Sequence, residues 1–175
     1  MPQIHNNSPE PAPFLVDNMA LLTRGRALDV AMGTGRNAIY LAQSGFTVEG
    51  VDVSHKYVDV ALKSAREVGV TISARVANLE SDYRIEKGVY DLIICFHYLQ
   101  RSIIPRIKDG LRTGGIVVYE TFIIDQVDFG KPHNPAYLLQ YNELLNMFRD
   151  FRCLRYREGI IENRKAVASI VAQKV

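Results

Sequence analysis

Residues 27–42 read ALDVAMGTGRNAIYLA, and this stretch decides the fold. An apolar run over Arg26–Val30 carries one aspartate, Asp29. A turn of small residues follows, Ala31-Met32-Gly33-Thr34-Gly35. The next residues, Asn37–Ser44, show a helix pattern with Ala38, Leu41 and Ala42 on one face and Gly45 as the stop. Strand, glycine turn and helix in that order suit a nucleotide-containing ligand. GTGRNA fits G-x-G-x-x-A, the pattern of a dinucleotide cradle. Asp29 points elsewhere, because a carboxylate beside the turn repels a pyrophosphate and suits an amine or a sulfonium. It could instead only brace the turn by accepting backbone N–H bonds.

The alternation continues outward. Thr47–Asp52 reads as a second strand, with Ser54 as N-cap of a long helix burying Val58, Ala61, Leu62 and Ala65, closed by Gly69. Thr71–Val76 and Val89–Phe96 are further strands, the latter almost wholly apolar, as strands covered on both faces are. Ser102 is placed to cap a helix with Ile104, Ile107 and Leu111 inside. Gly114 and Gly115 open a fifth strand, Ile116–Phe122. A loop rich in Gly, Pro and aromatics spans Asp125–Tyr137 and is long enough to act as a lid. After a short helix at Glu143–Phe148, two strand-like runs, Phe151–Ile161 and Ala166–Gln173, meet at ENRK as a hairpin. The whole predicts an α/β fold, a doubly wound, mostly parallel sheet with a reversed strand at its C-terminal end.

Composition narrows the setting. The 175 residues are 47% hydrophobic and 23% charged, with a net charge of +2. That is ordinary for one globular domain and too weakly basic to point to nucleic acid. Four of the seven prolines fall in residues 1–13, read as a flexible lead-in to a single domain over 14–175. No transmembrane run or signal peptide is visible. Cys95 and Cys153 lack C-x-x-C partners, so they read as buried, reduced thiols in a cytoplasmic protein with no metal site. The sequence leaves oligomeric state open.

Ligands of such sheets bind beyond the carboxyl ends of the strands. Asp52, ending the second strand, can take both hydroxyls of a ribose, or serve only as a helix N-terminal charge. Asn78 could meet an adenine edge and Leu79 its ring, while Glu80 and Asp82 read as solvated. His97 and Tyr98 follow the fourth strand, and Glu120 and Thr121 end the fifth. His97 has the best position for a base or orienting group, or is simply a strand-end histidine bonded to backbone. Lys131 and His133 could draw an anionic substrate or stay in solvent. The arginines at 149, 152, 155, 157 and 164, with Lys165, read as the solvated face of an edge hairpin.

Together these positions resemble the class I S-adenosylmethionine-dependent methyltransferases, over about residue 14 to the end. ALDVAMGTG is similar to that family's first motif, VEGVDVS to its second, and ANLE to the segment that usually offers an aspartate to the adenine amine. YDLIICFHYLQ and LRTGGIVVYETF look like its fourth and fifth strands, and the hairpin like its reversed seventh. GRNAIYLA, GGIVVYETF and FGKPHNPAYLL are similar to a small bacterial group around tellurite resistance and thiopurine-like methylation. The resemblance implies a seven-stranded Rossmann-like methyltransferase fold. It implies S-adenosylmethionine held by Asp29, Ala31, Met32, Gly33 and Gly35 at the methionine end and by Asp52 at the ribose. Val53, Asn78 and Leu79 would frame the adenine, with Phe96 closing the site. The acceptor-site candidates are His97, Tyr98, Glu120 and His133.

Two positions depart from the family pattern. Ala31 stands where the motif has its first glycine; alanine costs little there provided φ is negative, and cofactor binding is expected to survive. Asn78 replaces the usual aspartate, weakening an adenine contact by about 1 kcal/mol. No N-P-P-[YF] tetrapeptide follows the fourth strand, which disfavours amino-group methylation of bases or glutamine. The expected function is methyl transfer to a small-molecule acceptor, with a soft thiol- or chalcogen-type nucleophile as the finer reading. A non-catalytic S-adenosylmethionine-binding module and a dinucleotide oxidoreductase are the alternatives.

Overall fold

The computed structural model describes residues 8–81, 83–162 and 164–175. Asp82, Asn163 of the ENRK join and the first seven residues of the expected lead-in lie outside them. From Ser8 the chain runs toward a short helix, α1 (Pro13–Asp17), opened by proline at its first position. Ala12 is buried, and its N–H donates to Asn37 Oδ1 at 2.8 Å.

Seven strands form one sheet in the order β3-β2-β1-β4-β5-β7-β6. They are β1 (Arg26–Val30), β2 (Thr47–Asp52), β3 (Ser73–Val76), β4 (Tyr90–Phe96), β5 (Leu111–Phe122), β6 (Arg152–Ile161) and β7 (Lys165–Gln173). β1 to β5 pair in parallel, and β7 runs antiparallel to β5 and β6. The expected reversed strand is therefore present. β7 lies between β5 and β6, so the edge strand is the first arm of the hairpin.

Helices cover both faces. α2 (Arg36–Gln43) and α3 (His55–Glu67) join α1 on one face, where Phe14, Leu15, Leu41, Val58 and Ala61 pack on Ile94, Ile116 and Val118. α4 (Ile104–Gly110) and α5 (Glu143–Met147) cover the other, with Ile104, Ile107 and Leu144 against Ile93, Val117 and Tyr119. Burial on both faces explains the almost wholly apolar run of β4, every residue of which is buried. Truncating a buried isoleucine there would cost about 2–5 kcal/mol.

Ser54 caps α3 as expected, its Oγ accepting the Tyr57 N–H at 3.3 Å. Ser102 does not cap α4. It sits inside a 3-10 turn, Arg101–Ile103, and α4 starts after Ile103 without a side-chain cap. β5 starts at Leu111, earlier than expected, because the pairing with β4 absorbs an irregularity between Tyr90 and Leu92 and Gly114 takes φ +82°. Cys95 is buried, but Cys153, expected inside, is exposed on edge strand β6. No helix among the described residues is long and apolar enough to cross a membrane.

Candidate active site

The carboxyl ends of β1, β2 and β4 bring the first group of residues together. Asp29 lies in register between Gly50 of β2 and Ile94 of β4 and is 2% exposed. The Ala38 N–H, in the first turn of α2, favours its ionised form, yet Oδ2 is buried without a hydrogen-bond partner among the described residues. Burial pushes its pKa up to about 8, against the pull of the Arg36 charge and with help from Asp52. Once ionised, a buried carboxylate with an unsatisfied oxygen fits a cationic ligand group and repels a pyrophosphate.

Bracing of the glycine turn, considered for Asp29, falls instead to Asp52. Its Oδ2 accepts the Gly33 N–H at 2.8 Å and its Oδ1 the Ser54 N–H at 2.9 Å. One carboxylate thus ties the turn after β1 to the start of α3. Each oxygen keeps a second lone pair, so the brace and two ribose hydroxyls are chemically compatible.

The turn enters the left-handed region at alternate residues, with φ +58° at Ala31, +57° at Gly33 and +82° at Gly35. The condition of a negative φ at Ala31 is not met, and an L-residue there carries about 1–2 kcal/mol of strain. Gly35 is required twice over: a Cβ would also lie 2.7 Å from Ala61 Cβ on α3. Met32 is buried in the core beneath the turn, its sulfur where a Cβ on Gly50 would be, so its side chain packs against the sheet.

Around the expected adenine position, Val53 is 55% exposed and Leu79 is buried. An apolar side chain left open beside Asp52 offers a face for a flat ring. Asn78 Oδ1 accepts the Glu80 N–H at 2.9 Å, which shapes the turn. Phe96 is buried at the end of β4.

A second group surrounds Glu120. Strand register places Glu120 (β5), Ser169 (β7) and Arg157 (β6) in one line across the sheet. Glu120 Oε2 accepts from Ser169 Oγ at 2.7 Å and Arg157 Nη2 at 3.0 Å, and Lys165 Nζ is 3.6 Å from Oε1. Burial alone would raise its pKa, but His97, Lys165 and Ser169 outweigh burial and hold it at about 2. Glu120 is therefore a fixed negative charge and a poor base.

His97 has φ +57°, a strained conformation for a ring-bearing side chain. Its N–H donates to the Glu120 carbonyl at 2.8 Å, and its ring stacks on Phe122 with centroids 5.0 Å apart. Nε2 lies 3.6 Å from Glu120 Oε1, too long for a hydrogen bond, and has no other partner among the described residues. Burial lowers its pKa despite Glu120, so the ring is neutral at pH 7.

A cavity of about 270 Å³ opens beside Glu120, walled by Arg157, Lys165 and Arg36, by Glu10, Pro11, Pro13 and Asp17 before and within α1, and by Glu162. Arg157 also lies over the Phe14 ring, 4.8 Å from its centroid. Arg157 and Lys165 were expected on a solvated face; register turns them inward. Tyr98 is not brought to Glu120. It packs in the core on the opposite face, its hydroxyl donating to Gln100 Oε1 at 2.7 Å. His133 and Lys131 are exposed. Their loop is pinned at both ends. Gln126 Nε2 donates to the Lys131 carbonyl, and Arg101 binds Glu143 and the carbonyls of Ala136 and Leu138.

This geometry defines a class: Rossmann-like, nucleoside-binding domains whose last strand is reversed and whose glycine turn is flanked by acidic strand ends. Residues 27–115 match the family described as methyltransferase domain, and the chain belongs to that family. It is 32% identical over 126 residues to an uncharacterized methyltransferase of Synechocystis sp. (68% of this chain, 54% of that protein). It is 30% identical over 111 residues to a ubiquinone biosynthesis O-methyltransferase of Burkholderia multivorans (61% and 48%). The chain spans about half the length of these curated relatives. Among solved structures, TehB from Haemophilus influenzae superposes with a TM-score of 0.82 at 22% identity, covering 97% of this chain and 64% of that one. Geranyl diphosphate C-methyltransferase from Streptomyces coelicolor A3(2) gives 0.71 at 17%, covering 93% and 78%. These likenesses show the fold. The methyl donor of the family is S-adenosylmethionine. The unsatisfied Asp29 oxygen, the left-handed glycine turn, Asp52 and the open Val53 fit it.

Proposed function

We propose that the protein transfers a methyl group from S-adenosylmethionine to a small, anionic, soft nucleophile by in-line displacement. The observation that carries this reading is the cavity beside Glu120, where two cations, Arg157 and Lys165, share one buried carboxylate. The lining as a whole carries three cations, Arg36, Arg157 and Lys165, and four carboxylates, Glu10, Asp17, Glu120 and Glu162, so the pull on an anion is local to Arg157 and Lys165, in a space of about 270 Å³ that is too small for an acceptor with a long apolar tail. When bound, S-adenosylmethionine supplies a methyl group already activated on a sulfonium. Asp29 holds the methionine ammonium, Asp52 the ribose hydroxyls, and Val53, Asn78 and Leu79 the adenine. Arg157 and Lys165 draw the acceptor, and Glu120 fixes both cations. His97 orients the acceptor or takes a proton from it. Glu120 is too acidic to act as a base, and an acceptor that enters as an anion needs none.

The test is transfer of a radiolabelled methyl group from S-adenosylmethionine to matched acceptors. Mercaptoacetate and selenite should turn over in preference to 2-mercaptoethanol. Arg157→Gln should raise KM for mercaptoacetate about tenfold with a smaller change for 2-mercaptoethanol, the loss of one charged hydrogen bond. A preference for neutral or apolar thiols, or no transfer to any acceptor, would overturn the reading.

A further inference from the structure

Arg157 spends only part of its guanidinium on protein contacts. Nε donates to Ser169 Oγ at 3.2 Å and Nη2 to Glu120 Oε2 at 3.0 Å, so one edge of the group is taken. A guanidinium has five N–H donors. Both hydrogens on Nη1 and the second on Nη2 make no hydrogen bond among the described residues, and Arg157 lines the acceptor cavity. The planar, two-pronged end of the fork is left for a carboxylate or another oxyanion.

Two hydrogen bonds along one edge leave the guanidinium plane free to pivot about that edge. The Phe14 ring removes this freedom, because the guanidinium carbon lies over it, 4.8 Å from the centroid. Phe14 belongs to α1 and is 5% exposed, packed with Leu15 into the core of that face of the sheet. A ring fixed in this way presents its negative face to the cation, and the attraction grows as water is excluded. Pro13 lines the cavity and Phe14 does not, so Phe14 acts through Arg157. Both residues lie outside the stretch 27–115 that matches the methyltransferase family.

We propose that Phe14 is a positioning residue for the acceptor: its ring sets the plane of Arg157 and aims the free end of the guanidinium at an anionic group in the cavity. The proposal rests on the reading of the acceptor as a small anion drawn by Arg157. It adds that selectivity for the anion depends on an aromatic ring in α1 as well as on the Arg157 charge.

A double-mutant cycle in the methyl-transfer assay tests it. Wild type, Phe14→Leu, Arg157→Gln and the variant carrying both substitutions are each assayed with mercaptoacetate and 2-mercaptoethanol. Phe14→Leu keeps an apolar side chain in the core and removes the ring. It should raise KM for mercaptoacetate about 3- to 10-fold, the worth of a partly shielded cation–ring contact, with kcat and the KM for 2-mercaptoethanol changed less than about twofold. In the Arg157→Gln background, Phe14→Leu should add less than about 1.5-fold, since the ring then has no cation to hold. A ring-trifluorinated phenylalanine incorporated at position 14 keeps the shape and strips the negative face. It should reproduce the rise in KM, which guards against a leucine variant that folds poorly. An equal rise for both thiols, a rise that persists in the Arg157→Gln background, or a fluorinated ring that behaves as wild type would make Phe14 a packing residue and overturn the proposal. A wild type with no preference for mercaptoacetate would overturn the acceptor reading itself, a separate outcome that takes the proposal with it.

Discussion

Asp29→Asn probes the least comfortable group in the fold. The Asp29 carboxyl has a folded pKa of about 8, raised chiefly by burial, against about 3.9 in an unfolded chain. The ligand-free native state therefore keeps a proton that the unfolded chain gives up above pH 4. Its contribution to stability is fully present below about pH 4, is lost as pH rises toward 8, and is flat above that. The slope in that window is about 1.4 kcal/mol per pH unit, so about 2–3 kcal/mol disappears between pH 6 and pH 8. Asn cannot titrate and keeps the shape. Urea unfolding at pH 5.5, 6.5, 7.5 and 8.5 should show the wild type losing ground steadily relative to Asp29→Asn. With an m-value of about 2 kcal/mol/M, the two midpoints should diverge by about 1 M over two pH units. Bound S-adenosylmethionine removes this slope for the wild type, because a cation beside Asp29 favours the ionised form and the bound and unfolded states then both lack the proton across the window; cofactor affinity should rise with pH up to about 8. Parallel stability profiles for the two proteins would refute the reasoning.

Ala31→Gly removes a Cβ from a position at φ +58°. Relief of about 1–2 kcal/mol of strain, less about 0.4–1 kcal/mol of added chain entropy, should leave a small net gain. Calorimetry should show a melting temperature higher by about 1–3 °C; a lower one would contradict the assigned backbone. Gly35→Ala meets both a left-handed φ and Ala61 Cβ. It should destabilise by about 2–4 kcal/mol and weaken cofactor binding, read by urea unfolding and titration. Arg101→Ala should leave cofactor affinity unchanged while exposing the 131–137 loop to limited proteolysis, since it removes the contacts to Glu143, Ala136 and Leu138.

The strand ends and glycine turn proposed to hold the cofactor are legible in the sequence because their signals are local. β1 and β2 were expected at the residues where they occur, since each apolar run meets an aspartate and then a glycine turn or a capping serine. The acceptor half depends on register between distant strands. Arg157 reads as an edge charge in sequence. Only its pairing with Ser169, itself paired with Glu120, turns it toward the cavity. The backbone at Ala31 and the brace from Asp52 to Gly33 were hidden for a related reason. A φ value and a nineteen-residue contact leave no mark in periodicity. Arg36 directly follows the glycine turn in sequence, and its place in the cavity wall beside Glu120 comes only from where α2 packs on the sheet.

The central claim is that the turn after Asp29 seats a charged amino-acid moiety and not a pyrophosphate. Calorimetric titration of the wild type with S-adenosylmethionine and with NAD tests it most directly. The account predicts saturable binding of S-adenosylmethionine at one site per chain and no heat with NAD. Binding of NAD without binding of S-adenosylmethionine would contradict it.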